Sequence, residues 1–265
     1  MKLGFIGAGN MARAIINGLL ANGTVSGNDV YIHSAHRSSY GIYADENGLN
    51  PCESNQDVVR EADIVFLAVK PIIVKDVLEE VSGTFREKSP VLVSMVTGVS
   101  LRDLSGALHF AEAEIVRIMP NVNVEIGEGM TALKAGSSVS DEHFAEVRGL
   151  FDAIGRTELM EEKDFSTFVA LAGSSPAYVY LFIDAMSRAG VKYGLKKDQA
   201  TQIAAQAVCG SAMKVLNSDR SPMDLVDDVC SPGGTTVAGL LAMEEHGFTT
   251  SVIKGLDATV ARDRE

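Results

Sequence analysis

The feature that most limits the folds open to this chain is a set of short β-rich runs, several of them apolar on both faces. They fall at residues 2–6, 30–34, 64–69, 91–96 and 115–119. A strand with one wet face alternates apolar and polar residues, whereas a strand covered by helices on both sides does not. Helical patterns lie between the runs, at 11–22, 38–47, 55–62, 72–85 and 101–108. Strand and helix alternating at this spacing predict βαβ units wound in both directions around one parallel sheet. Local punctuation agrees. Gly23 is a left-handed stop for the first helix. Ser54, with Asp57 three residues on, is a capping pattern for the third.

Beyond Glu162 the character changes. Helical patterns follow one another at 176–193, 198–217, 223–228, 235–245 and 249–264, without a further strand signal. The pairs Ser175-Pro176, Ser221-Pro222 and Ser231-Pro232 each predict a proline in a helix's first turn. The segment from Ala200 to Val208 is apolar nearly all round, and such a helix must be buried on most sides. So few residues in short helices rarely bury that much alone, so a subunit interface is expected.

Composition narrows the classes. A net charge of −12 disfavours nucleic acid as a partner. No apolar stretch is expected to reach the roughly 18 residues that cross a bilayer, and the N-terminal residues are too soon broken by glycine for a signal peptide. Cys52, Cys209 and Cys230 are odd in number and widely spaced, which predicts free thiols, a reducing cytoplasmic setting and no metal site.

The first run is followed by Gly7-Ala8-Gly9-Asn10-Met11-Ala12, a G-x-G-x-x-A pattern that opens the first helix. The first glycine makes a tight turn and the second admits a pyrophosphate. The small third residue lets helix and strand pack closely. Residues 1–162 are therefore expected to form a Rossmann-type dinucleotide-binding domain, and 163–265 an all-α domain. Cofactor choice is read after the second strand, in Tyr31-Ile32-His33-Ser34-Ala35-His36-Arg37. No acid is present there to accept from a ribose hydroxyl. Ser34 and Arg37 suit a 2′-phosphate instead, so NADP(H) is preferred. Lys70, in Ala68-Val69-Lys70-Pro71, falls at a strand's carboxyl end, where ligands of such sheets bind. In the second half, Ser231-Pro232-Gly233-Gly234-Thr235-Thr236 offers consecutive backbone N–H groups at a helix start, a nest for a carboxylate or phosphate. Gly173-Ser174-Ser175-Pro176 is a similar small-residue lead into a helix.

At these motifs, together with Arg117-Ile118-Met119-Pro120-Asn121 and Gly173 to Tyr178, the chain resembles the pyrroline-5-carboxylate reductases. The matching pieces span nearly the whole chain in the family's order. The resemblance implies reduction of 1-pyrroline-5-carboxylate, a cyclic imine carboxylate, to L-proline by NADPH, with NADH usable. It implies a cofactor site of Ile6, Gly7, Ala8, Gly9, Asn10, Met11, Ser34, Asn55, Ala68, Val69, Lys70 and Pro71. The substrate carboxylate would be held around Ser231, Gly233, Gly234 and Thr235. Thr236 would bond the ring nitrogen, and Glu162, Ser174 and Ser175 would border the substrate. Glu162 would either stabilise the positive iminium or shape the pocket. The helical domain would form dimers, often assembled into rings. The chain departs from the family at Val122-Asn123, where Thr-Pro is common, and at Val169 and Ala172. Two alternatives stand beside this reading. One is another imine or β-hydroxyacid oxidoreductase, although the Lys-Asn pair of the latter is absent, Lys214 being followed four residues later by Ser218. The other is a non-catalytic NADP-binding sensor, which would have no use for the Gly233-Gly234 nest.

Overall fold

The computed structural model describes residues 1–264 and divides into two compact units. One is Met1–Ser174 with the segment from Val260, and the other is Ser175–Thr259. Glu265, the last residue of the expected second domain, lies outside the described residues. The first unit carries the strands β1 (Leu3–Ile6), β2 (Val30–His33), β3 (Asn50–Pro51), β4 (Ile64–Leu67), β5 (Val91–Ser94), β6 (Ile115–Pro120), β7 (Gly129–Ala135) and β8 (Gly155–Leu159). They form one sheet in the order β3-β2-β1-β4-β5-β6-β7-β8. Neighbours are parallel except β6 and β7, which run antiparallel. The chain winds outward from β1 to β3, then returns to β4 on β1's other side. The winding reverses there, which is where open α/β sheets bind ligands.

The helices are α1 (Asn10–Ala21), α2 (Arg37–Asn47), α3 (Asn55–Glu61), α4 (Val74–Lys88), α5 (Leu101–Leu108) and α6 (Asp141–Asp152). They cover both faces, as the two-sided apolar runs require. Ile64 and Phe66 of β4 join a core with Ile15, Tyr40 and Phe151, from α1, α2 and α6. Val65 and Leu67, one residue out of phase, join a second core with Val58, Leu78 and Leu104, from α3, α4 and α5. Period-two alternation places the two sets on opposite faces. The Ser54 hydroxyl accepts from the Asp57 N–H at the start of α3, and Gly23 follows α1 with φ of 73°.

The first unit continues past the expected boundary at 162. Phe165 and Phe168 of α7 (Phe165–Phe168) are buried with Met119 and Ala132 of β6 and β7, so residues just beyond 162 finish this unit's core. A π-turn, Val169–Gly173, follows.

The second unit holds α8 (Ser175–Lys192), α9 (Lys197–Leu216), α10 (Pro222–Val229), α11 (Thr235–Glu245) and most of α12 (Phe248–Asp263). Small residues bring α8 and α9 together: a Cβ on Gly190 would lie 2.9 Å from the Ala200 Cβ. Buried Ser187 shares a 2.8 Å hydroxyl–hydroxyl hydrogen bond with Thr201. Of α9, which carries the Ala200 to Val208 segment, however, only Ala200 and Ala204 are buried within the chain. Leu181, Ile203, Leu241 and Ile253 are more than half exposed.

Two expectations are corrected. Pro232 is not in a helix's first turn, since α11 starts at Thr235 and Ser231 to Gly234 form a turn before it. Gly173 to Pro176 leads into α8 as expected, with Pro176 in its first turn, and the helical turns before it join α8 in one run, Glu162–Lys192. That run is 31 residues long, and by length and composition it is long and apolar enough to cross a membrane. No continuous apolar stretch reveals it, because Ser174, Ser175 and Asp184 interrupt the run without ending it.

Candidate cofactor and substrate sites

The two glycines after β1 have different causes. Gly7 has φ of 105°, and a Cβ there would lie 2.3 Å from the Ala68 carbonyl oxygen, so the protein itself demands glycine. Its N–H donates to the His33 carbonyl at 2.8 Å, tying the loop to the end of β2. Gly9 precedes α1 with φ of −74°, an ordinary extended value. A Cβ on it would meet no atom within 4 Å. Nothing in the chain requires glycine at that point; a backbone left bare toward open space is what a close-lying pyrophosphate requires. No side chain caps α1 and no acid stands in its first turn, so its N–H groups and positive end remain available for phosphate. Ala12 is buried against the sheet, the close packing that the small third residue predicts. Among the described residues these features fit a dinucleotide.

The surrounding residues gather at the carboxyl ends of β1, β2 and β4. Ala68 donates its N–H to Ile6 at 2.9 Å, and its carbonyl abuts Gly7. Pro71 opens a short 3₁₀ turn, Pro71–Ile73, ahead of α4, with Lys70 exposed beside it. Asn55 shares a 2.7 Å hydrogen bond with the His33 ring and donates to Glu80 at 3.0 Å, which fixes the start of α3 beside β2. Ser34 follows β2. Arg37, expected at a 2′-phosphate, is paired with Glu53, an acid brought in by the loop before α3. The pair is exposed on both sides, and such pairs contribute about 0–1 kcal/mol.

Glu162 does not stand free. Its carboxylate accepts from the Arg117 guanidinium at 2.8 Å and from the Leu101 N–H at 3.0 Å. Arg117 is buried in β6 and lies 4.6 Å over the Phe165 ring; its Nε is buried with no partner. The Glu162 charge is thus met by Arg117 within the first unit. Asn121, also buried, accepts from the Asn123 and Met130 N–H groups and donates to the Ala172 carbonyl at 3.0 Å. It thereby holds the π-turn, in which the Ser174 N–H reaches back five residues to Val169. Arg117 and Asn121 are functional candidates that the sequence reading used only for resemblance. The signal was there: a charged residue in an otherwise apolar strand is rarely buried unpaired.

In the second unit, Gly233 takes φ of 68° and the Gly234 N–H bonds the Ser231 carbonyl at 3.0 Å. The turn delivers Thr235 and Thr236 to the first positions of α11, which has no side-chain cap and no acid in its first turn. Its bare N–H groups and positive end suit a carboxylate. The structure thus brings the cofactor residues together in one unit and Ser231 to Thr236 together in the other. Ser174 ends the first unit and Ser175 begins the second.

A doubly wound sheet with an open dinucleotide loop, followed by a helical unit with an anion-ready helix start, defines a two-unit dinucleotide-dependent oxidoreductase. Comparison with known proteins narrows this. The family model described as pyrroline-5-carboxylate reductase dimerisation matches residues 162–265, and one described as NADP oxidoreductase coenzyme F420-dependent matches residues 2–98. The chain is 40% identical to pyrroline-5-carboxylate reductase of Escherichia coli, covering 96% of this chain and 94% of that one. It is 37% identical to the enzyme of Glycine max, covering 99% and 95%. The structure of the Streptococcus pyogenes reductase is similar, with 40% identity, a TM-score of 0.89 and 100% and 98% coverage. That of Plasmodium falciparum pyrroline carboxylate reductase with NADP bound has 30% identity, a TM-score of 0.90 and 100% and 97% coverage. The chain belongs to the pyrroline-5-carboxylate reductase family.

Proposed function

We propose that the chain reduces the C=N bond of 1-pyrroline-5-carboxylate to give L-proline, with NADPH the preferred donor and NADH usable, as a cytoplasmic homodimer that can build larger rings. The observation that carries the reading is the bare start of α11 after Gly233-Gly234, present in a chain of this family. When bound, the reduced nicotinamide supplies a hydride to the imine carbon. The rest is positioning by the chain. The Gly7-Ala8-Gly9 loop and the first N–H groups of α1 hold the pyrophosphate. Ser34, Asn55 and residues Ala68 to Pro71 complete the cofactor site. The turn from Ser231 to Gly234, closed by the Gly234 N–H on the Ser231 carbonyl, presents the Gly233 and Thr235 N–H groups and the Ser231 hydroxyl to the carboxylate. Ser174 and Ser175 border the ring. The Thr236 hydroxyl orients the ring nitrogen. A cyclic imine can arrive already protonated, so no strongly acidic side chain is needed, which suits a site of hydroxyls. The exposed apolar faces of the second unit fit a second copy of the chain, in keeping with the dimerisation family that covers it.

Steady-state assays with NADPH and NADH test this directly. NADPH absorbance falls on adding the pyrroline carboxylate, and faster than NADH absorbance. No oxidation of either cofactor removes the reading. In Thr236→Val, kcat/KM is expected to drop about tenfold or more, the effect of losing one hydrogen bond to a charged group, while NADPH binding is unchanged. Normal turnover would take Thr236 out of the mechanism.

A further inference from the structure

Arg13 lies one turn into α1, and neither the glycine loop pattern nor the residues after β2 include it. Its Nε donates to the Ala8 carbonyl at 2.9 Å. Its Nη2 donates to the Ser39 hydroxyl at 3.0 Å and to the Ser39 carbonyl at 3.4 Å. The guanidinium therefore spans from the dinucleotide loop to the first turn of α2, the two pieces of backbone that flank the adenosine ribose in a fold of this kind. Its plane is fixed from below: it lies 4.6 Å over the Tyr43 ring, whose hydroxyl bonds Asn17 at 2.6 Å.

Every partner of Arg13 in that span is a neutral acceptor. Arg37 differs, since its guanidinium is already joined to the Glu53 carboxylate. Among the described residues no carboxylate forms an ion pair with Arg13, and none accepts a hydrogen bond from its Nη1. A guanidinium held in place by neutral groups keeps its charge uncompensated, and the two N–H bonds of its Nη1 remain to meet a phosphate. Ser39 sets its distance from α2, and Tyr43 prevents it from swinging away.

Resting on the reading that the chain uses NADPH, we propose that Arg13 is a specificity-determining residue that recognises the phosphomonoester on the adenosine ribose and carries more of the preference over the unphosphorylated cofactor than Arg37 does.

The probes are 2′,5′-ADP and 5′-ADP, titrated calorimetrically into the full chain as wild type, Arg13→Met and Arg13→Lys, with folding checked by circular dichroism. Wild type binds 2′,5′-ADP more tightly. Arg13→Met weakens 2′,5′-ADP about 10- to 100-fold, the range for a lost hydrogen bond to a charged group, and 5′-ADP by less than about threefold. Arg13→Lys, a point charge without the fork, recovers part of the loss and decides the matter if the methionine variant does not fold. Equal losses for both nucleotides would mean that Arg13 merely braces Ala8 against Ser39, and would overturn the proposal. So would unchanged affinity for 2′,5′-ADP, or a larger loss in Arg37→Ala than in Arg13→Met. Wild type binding both nucleotides equally would instead overturn the NADPH reading on which the proposal stands.

Discussion

The two units hold similar proportions of apolar residues but place them differently. In the first, β1, β4, β5 and β6 are buried from end to end, and six helices close over both faces of the sheet. In the second, twenty-residue α9 buries only two alanines, and α10, α11 and α12 bury no residue at all within the chain. The first unit contains its own core. The second presents helices whose apolar sides are exposed in the single chain. Helices do not become stable by propensity alone at these lengths; the packing of an apolar face supplies most of their stability. The contrast therefore teaches that the first unit closes its core within one chain, whereas the second leaves most of its apolar surface uncovered, the situation in which stability depends on association.

The sharpest way to break that contrast is to damage each side and vary protein concentration. Phe66 is fully buried, stacked on Phe5 with centroids 4.5 Å apart and set edge-on to Phe151. Phe66→Ala is expected to destabilise the first unit by about 3–5 kcal/mol, read by denaturant unfolding, with a loss independent of concentration. A concentration-dependent loss would show that the first unit too depends on association. Leu181, on α8, is 71% exposed in the single chain. Leu181→Arg buries an unpaired charge in a dimer and is expected to cost about 3 kcal/mol or more of association energy. Sedimentation then shows monomers at concentrations where the wild type is dimeric. An unchanged dimer mass would remove the α8 face from the interface.

A smaller effect separates surface electrostatics from packing. His143, in the first turn of α6, bonds Glu114 at 2.7 Å, and this hydrogen bond raises its pKa above the usual histidine value. A raised folded-state pKa adds stability that is complete below the unfolded value of about 6.5 and is lost as pH rises through the folded one. The pair is partly exposed, so the gain is under about 1 kcal/mol. Stability of the first unit, measured from pH 5 to pH 9, is expected to fall slightly through that window and to lose the slope in His143→Gln. A slope that persists in the variant would assign it to other groups.

Much of this was legible in the residues. The five strands that the sequence predicts are short apolar-rich runs, of which β1, β4, β5 and β6 are buried from end to end while β2 alternates buried with half-buried positions. The three that were missed lack such a run for separate reasons. Asn50-Pro51 is too short to show any pattern. Gly129–Ala135 mixes buried and half-exposed positions. Gly155–Leu159 is an edge strand carrying Arg156 and Glu158, and edge strands favour charge. Helix α6 was passed over, although Ser140 caps it by accepting from the His143 N–H. The glycine loop and the Gly233-Gly234 turn were readable because their chemistry is local. The Arg117–Glu162 pair joins residues 45 positions apart, and the Arg13–Ser39 contact joins 26; such pairings exist only once the sheet is assembled.

Gly7 and Gly9 answer to different masters. A side chain at the first would collide with the polypeptide, so evolution is bound there by the demands of folding whatever the chain binds. A methyl group at the second would sit in empty space and trouble nothing but a guest. The loop therefore offers a place where occupancy can be abolished while architecture is spared.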